Sequence, residues 1–340
     1  MRWSVLLAAG AVGLAAIVPA KAQSVAAFYG GNKITLIVGS TPGGGYDTQA
    51  RLVARHIGRH IPGNPTVVVQ NMPAAGSLAA TNHMFNIAPK DGSTIALVQR
   101  GMLLIKNWNP SAVRFELGKF NFLGSINREV ALSISRADAP VKTTAQLFTT
   151  ELITGASSGI DPEITPRLLN ALIGTKFKVV TGYPGLTEIV LAMERGEVQA
   201  IGDWSVSSLK TARPSWLPEK KINLLMQIAL EKDPEFAHVP FALDFVKNDA
   251  DRAVMQLYLT QKTVARPMLA PPGVPADRIA ALRTAFAALA TDPQFLADGA
   301  KAKLDVAPVT GPEVDKVIGL ITSASPDTAT RLQKAIASER

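Results

Sequence analysis

The stretch KITLIVGSTPGGGYDTQARLVARHI, Lys33 to Ile57, decides the fold class. Lys33 to Gly39 is an apolar, β-branched run of the length of a buried strand. From Thr48 onward Ala50, Val53, Ala54, Ile57 and Ile61 fall at helical spacing, with Asp47 standing where an N-cap would accept free amide hydrogens. Between strand and helix lies Gly39-Ser40-Thr41-Pro42-Gly43-Gly44-Gly45-Tyr46-Asp47. Consecutive glycines let backbone approach a ligand closely, and the helix start adds partial positive charge, so an anion is the natural occupant. A nucleotide is excluded by spacing, because a P-loop needs Lys-Ser/Thr after its last Gly and Thr48 is not the third Gly of a dinucleotide fingerprint.

The unit recurs along the chain. Strands are expected at Pro65 to Asn71, Ser93 to Gln99, Asn121 to Ile126, Ala131 to Ser135, Leu152 to Gly155, Phe177 to Thr181, Ala200 to Gly202 and Ile222 to Leu230. Helices are expected over Gly76 to Ala88, Pro166 to Ile173, Leu186 to Arg195, Asp277 to Ala290, Pro293 to Gly299 and Gly311 to Ser323. Strands alternating with helices predict parallel sheets covered by helices, and the inventory exceeds one open sheet. Two α/β lobes follow, with a cleft between them.

Composition narrows the chemistry. The 340 residues contain no Cys, which removes disulfides, zinc-thiolate sites, iron-sulfur clusters and cysteine nucleophiles. The opening MRWSVLLAAGAVGLAAIVPAKAQS has a basic residue, an apolar run and the pattern Ala20-Lys21-Ala22, the layout of a secretory signal over residues 1–22 with cleavage after Ala22. Cleavage lowers the formal charge from +8 to +6 by removing Arg2 and Lys21. The remaining charge is dispersed without a Lys/Arg tract, so nucleic acid is not an expected partner.

Two further loops match the first. Gly155-Ala156-Ser157-Ser158-Gly159 again follows a strand, and small hydroxyls on a Gly loop hold a carboxylate well. It also fits G-x-S-x-G, and Ser157, Asp203 and His238 stand in the chain order of a hydrolase triad. A serine hydrolase is therefore the rival reading, with the PGGG turn as its oxyanion hole. Against it, Pro162 and Pro166 are expected to delay the helix to about residue 166, whereas a nucleophile elbow runs straight into its helix. In the third loop, Gly182-Tyr183-Pro184-Gly185, Tyr183 could form a ring wall, with Asp203-Trp204 closing the next strand. Arg100, at the end of the third strand, is placed to meet a second carboxylate or to stand solvated. His56 and His60 have the i, i+4 spacing of two metal ligands, yet Arg55 and Arg59 flank them with repelling charge. Ser207 and Lys210 match S-x-x-K without its companion motifs.

In order along the chain, the Lys33 to Ile57 stretch, PTVVVQNMPAAGS, APKDGSTIAL, TGASSG, GYPGLTEIVLAMERGEVQA, DPEFAHVPFALDF and RPMLAPPGVPADRIAALRTAFAAL resemble the tripartite tricarboxylate transporter receptors, the Bug solute-binding proteins. The resemblance implies a periplasmic protein with a type II periplasmic-binding-protein fold: two lobes, residues 23–127 plus 262–340 and residues 128–261, joined by two crossing strands. It also implies a carboxylate held by the Ser40 to Asp47 loop through amides and water, faced by Ala156 to Gly159. The implied partners are the membrane subunits of an ion-driven importer. Ser40 stands where the family often has an aromatic residue, and Tyr46 where a small hydroxyl residue is common. The combined expectation is a receptor for a small carboxylate, with no catalysis, cofactor or metal. Gly43, Gly44 and Gly45 donate amides, and Ser157 and Ser158 close the far side. A signalling protein using the same trap would instead bind a sensor domain when loaded.

Overall fold

The structure is a computed structural model that describes residues 23–337. The expected leader and its cleavage point lie outside the described residues. After helix α1 (Val25–Tyr29) the chain enters β1 (Lys33–Val38), α2 (Gly45–Ile57), β2 (Thr66–Asn71), α3 (Leu78–Asn86), β3 (Thr94–Leu97) and β4 (Asn121–Ser125). β1 pairs in parallel with both β2 and β3. All four residues of β3 are buried, as a central strand covered on both faces requires. α2 sinks Ala50, Leu52, Val53 and Ile57 into the core and leaves Arg51 and Arg55 in solvent.

The chain then builds a second sheet. It contains β5 (Ala131–Arg136), β6 (Leu152–Gly155), helix α4 (Asp161–Ile173), β7 (Phe177–Val180), α5 (Leu186–Arg195), β8 (Ala200–Ser205), α6 (Val206–Ala212) and β9 (Ile222–Ile228). α7 (Asp249–Thr260) leads back to β10 (Pro267–Ala270), followed by α8 (Ala276–Leu289), α9 (Pro293–Lys301), β11 (Val309–Thr310), α10 (Gly311–Thr322) and α11 (Pro326–Ala337). The first sheet has the order β11-β4-β10-β3-β1-β2 and the second β7-β6-β8-β5-β9. Both are mixed rather than purely parallel: β10 is antiparallel to β3 and β4, and β5 is antiparallel to β8 and β9.

Two segments, 126–130 and 261–266, carry the chain between the sheets and bond to each other. Ile126 N reaches Arg266 O at 3.2 Å, Ala265 N reaches Asn127 O at 3.1 Å, and Glu129 N reaches Lys262 O at 2.9 Å. α11 packs on α4 and α7, so the C-terminal helix rests against the helices beside the second sheet. Its Leu332 and Ile336 join Leu168 and Leu169 of α4 and Met84 of α3 in one apolar cluster.

The helix expected from about residue 166 begins at Asp161. Pro162 sits in the first turn, where its missing N–H costs no intrahelical bond. Pro166 lies inside α4, and its ring packs on β8 where a Cβ at Gly202 would come within 2.9 Å of it. Helices α6, α7 and α11 and strand β10 were not expected from sequence. β10 is four residues long and flanked by Arg266 before and Pro271-Pro272 after, which hides its apolar character.

Candidate ligand-binding cleft

The carboxyl ends of β1, β3, β6, β7 and β8 open on one cavity of about 780 Å³ between the two sheets. That is where an open α/β sheet places its ligands, in the loops between strand ends and helix starts.

In the first loop the N-cap of α2 is Gly44, and Asp47 lies in the first turn. The expected N-cap role of Asp47 is therefore corrected: its carboxylate reaches backward and fixes the loop from behind. Oδ2 accepts Gly43 N at 2.9 Å and Arg51 Nε at 2.9 Å, while Oδ1 accepts Asn71 Nδ2 at 2.8 Å. Asn71 Nδ2 also donates to Ser40 O at 3.0 Å. Burial alone would raise the Asp47 carboxyl, but hydrogen bonds from Arg51, Gly43 and Asn71 outweigh it and hold it below the ordinary carboxylate range. Gly43, with φ of 79°, is thus a loop-closing residue whose amide is already spent. Thr48 N is bonded to Gly44 O at 2.9 Å, which leaves the amides of Gly44, Gly45 and Tyr46 at the open helix end. The helix field favours an anion there.

The second loop repeats this construction. Gly159 has φ of 80°, its N–H donates to Glu163 Oε2 at 2.7 Å, and Glu163 lies 3.4 Å from Arg167 one turn on. Ser158 is exposed to the cleft, and Ser157 Oγ donates to Pro184 O at 3.3 Å. Ala156 is fully buried and does not reach the cavity. Tyr183 lines the wall from the third loop, half-buried, with its N–H on Ala156 O at 3.4 Å.

The floor is a buried cluster of charge. The Arg100 guanidinium forms an ion pair with Asp161, lies 3.6 Å from Asp203 Oδ1 and donates to Ser205 Oγ at 3.1 Å. The carboxylates that Arg100 meets are the protein's own. Lys262 Nζ sits 2.8 Å from Asp203 Oδ2, which also accepts Thr165 Oγ1 at 2.6 Å, and Tyr258 OH donates to Asp161 Oδ1 at 3.0 Å. Burial pushes Asp203 up against the pull of Lys262, whereas at Asp161 the same burial is outweighed by Arg100 and Lys262 and the carboxyl falls. Burial works against the Arg100 charge, but Asp161 and Asp203 keep it protonated. Tyr46 pins the helix to this floor by donating to Ala265 O at 3.0 Å and accepting Arg100 N at 3.2 Å.

The hydrolase triad does not assemble. Ser157 Oγ is on Pro184 O, Asp203 is held by Lys262 and Thr165, and His238 lies exposed after the Pro234–Phe236 turn. The delayed helix offered against an elbow is itself overturned, since α4 starts at Asp161. His56 sits 3.0 Å from Asp298, tying α2 to α9, and His60, in the turn after α2, sits 2.7 Å from Asp292 at the N-cap of α9. Ser207 Oγ donates to Glu129 and Lys210 Nζ to Glu235, each at 2.6 Å.

Two lobes, glycine loops at the strand ends and a closed, charged floor describe a solute trap, and the comparisons agree. The family described as tripartite tricarboxylate transporter family receptor matches residues 50–325. The chain belongs to this family. The UPF0065 protein in the gbd 5' region of Cupriavidus necator is 27% identical over 254 residues, 70% of this chain and 71% of that protein. The periplasmic binding protein BugD matches with a TM-score of 0.68 at 19% identity, covering 90% of this chain and 98% of its own. MatC from Rhodopseudomonas palustris with bound malate matches with a TM-score of 0.66 at 19% identity, covering 90% of this chain and 99% of its own.

Of the residues named from the sequence, Ser40, Thr41, Gly43, Gly44, Gly45, Tyr46, Arg100, Ser157, Ser158, Tyr183 and Asp203 line the cavity. Asp47 acts from behind the wall, and Ala156 stays in the core. Lining residues not named include Asp161, Ser205, Ser208 and Arg266. For Asp161 a signal existed: Gly43-x3-Asp47-x3-Arg51 and Gly159-x3-Glu163-x3-Arg167 are one spaced pattern that marks two equivalent helix starts. Arg266 had none, because it enters from the returning crossing segment far along the chain.

Proposed function

We propose that this receptor is exported to the periplasm, captures a small carboxylate-bearing metabolite between its lobes and passes it unchanged to the membrane subunits of a tripartite importer. The observation that carries the reading is the open start of α2: Gly44, Gly45 and Tyr46 line the cavity, the acid Asp47 is turned back to Gly43, and Ser40 Oγ stands shielded there with no partner among the described residues. Backbone donors in a partly dewatered cleft bind a carboxylate with little reorganisation. The lobe division, residues 23–127 plus 262–340 and 128–261, makes the crossing segments the hinge. Malate, held by the related MatC, is the first ligand to try.

Lobe contacts surround the cavity. A Cβ at Gly45 would lie 2.5 Å from Ser208 Oγ, one at Gly76 2.7 Å from Ile160 Cγ2, and one at Gly185 3.8 Å from Thr41 Oγ1. A ligand enclosed this way binds the folded state alone and raises the unfolding midpoint. A melting screen over acetate, succinate, malate, citrate, benzoate and glutamate, with glucose as the neutral control, tests the reading. At least one acid is expected to raise the midpoint by several degrees; stabilisation by glucose and by none of the acids overturns it.

A further inference from the structure

Among the described residues, Arg266 is a buried cation of the cleft with no carboxylate closer than 3.7 Å. Its side chain is 1% exposed, and its guanidinium lies flat on the Tyr46 ring with Cζ 4.1 Å from the ring centre. Nη2 donates to Ser208 Oγ at 3.2 Å and Nη1 to Ala265 O at 3.3 Å. Nε is buried and finds no hydrogen-bond partner among the described residues. The nearest acid, Glu129, stands 3.7 Å away and is already engaged by Ser207 N, Ser207 Oγ and Asn127 Nδ2. The same guanidinium edges the start of α2, with Nη2 3.6 Å from where a Cβ of Gly45 would be.

The other lobe shows what such an arrangement accepts. When Gly43-x3-Asp47 and Gly159-x3-Glu163 are superposed by position, Gly45 corresponds to Asp161, and each is the first residue of its helix. At α4 that residue brings its own carboxylate to the guanidinium of Arg100. At α2 the residue is glycine and brings no carboxylate, and the guanidinium beside it has only Glu129, 3.7 Å away and already engaged. We propose that the ligand supplies the missing group: its carboxylate occupies the α2 start and is held by the Arg266 guanidinium together with the Gly44, Gly45 and Tyr46 amides. The seat then carries a full positive charge fixed by the Tyr46 ring, beyond what backbone amides and water provide. This inference rests on the carboxylate reading above.

Calorimetric titration of the mature protein and three variants tests it, using as probe whichever of acetate, succinate, malate, citrate and benzoate binds the wild type most tightly. Arg266→Gln is expected to weaken that probe by roughly 10- to 100-fold, as loss of a charge-assisted bond does. Arg266→Lys keeps the charge and should recover part of the loss. Glu129→Gln removes the competing acid and should tighten binding several-fold, a gain that a purely structural role for Arg266 does not produce. If Arg266→Gln fails to fold, as its melting curve will show, Glu129→Gln decides: equal or weaker binding overturns the inference. Arg266→Gln within threefold of wild type also overturns it, leaving the carboxylate reading intact. Wild-type protein that binds none of these five acids, nor glutamate, overturns both.

Discussion

The loops that open α2 and α4 share a glycine near φ of 80°, an acid four residues on that takes its amide, and an arginine one further turn along. They differ at the first helical residue, Gly45 in one and Asp161 in the other. That difference divides the labour of the cleft. The α4 end is neutralised from within by Asp161 and Arg100, whereas the α2 end has no carboxylate at its first residue and the Arg266 guanidinium beside it, the place proposed for a guest. Two similar scaffolds thus give one helix start paired within the protein and one that is the proposed seat of the ligand.

Removing Asp161 should have the largest effect. Asp161→Ala strips the buried Arg100 of its closest partner, and breaking a buried pair costs about 3–5 kcal/mol in denaturant unfolding. Arg100→Met in the same chain should return part of that cost, because the stranded charge is then gone. A loss below about 1 kcal/mol from Asp161→Ala would mean that the two helix starts do not differ as described.

Gly45→Val comes next. Its Cβ would enter the 2.5 Å space beside Ser208 Oγ, so lobe approach costs about 1–3 kcal/mol and carboxylate affinity falls by roughly 5- to 150-fold. The doubled variant with Ser208→Gly should regain most of the affinity in titration. Unaltered binding by Gly45→Val would show that this contact does not close on the ligand.

Asp47→Asn should cost about 1–2 kcal/mol at neutral pH, since it weakens bonds to Gly43 and Arg51. The folded-state pKa of Asp47 is depressed, so its contribution is fully present above the ordinary carboxylate value of about 4 and is lost as pH falls through the depressed value. The gap between wild-type and Asp47→Asn melting midpoints should therefore narrow below about pH 4. A gap that widens with acid contradicts the assignment. Smallest of all, Ser157→Ala removes one 3.3 Å bond to Pro184 O and should cost about 0.5–1 kcal/mol. Neither form is expected to hydrolyse a nitrophenyl ester, and turnover that depends on Ser157 would revive the hydrolase.

Much of this was legible because local patterns decide local structure. The Lys33 to Val38 run, its glycine loop and the apolar spacing of α2 sit together in the chain, and the structure keeps them together. Pro162 and Pro166 look like breakers in sequence and shorten the expected α4, while the packing of Pro166 on Gly202 is a tertiary fact. Arg266 was invisible for a different reason. Its place against Tyr46 depends on where the returning segment crosses, set by bonds between Ala265 and Asn127 and between Arg266 and Ile126. No spacing within the sequence encodes that meeting. Arg100 was found as a cleft residue, yet its partner Asp161 was hidden with the true helix start.

The most direct test is a crystal structure of the receptor grown with its tightest-binding acid. The account predicts the carboxylate within hydrogen-bonding distance of the amides of Gly44, Gly45 or Tyr46 and of the Arg266 guanidinium, with Asp161 still on Arg100. A carboxylate seated instead at the start of α4, displacing Asp161 from Arg100, would contradict it.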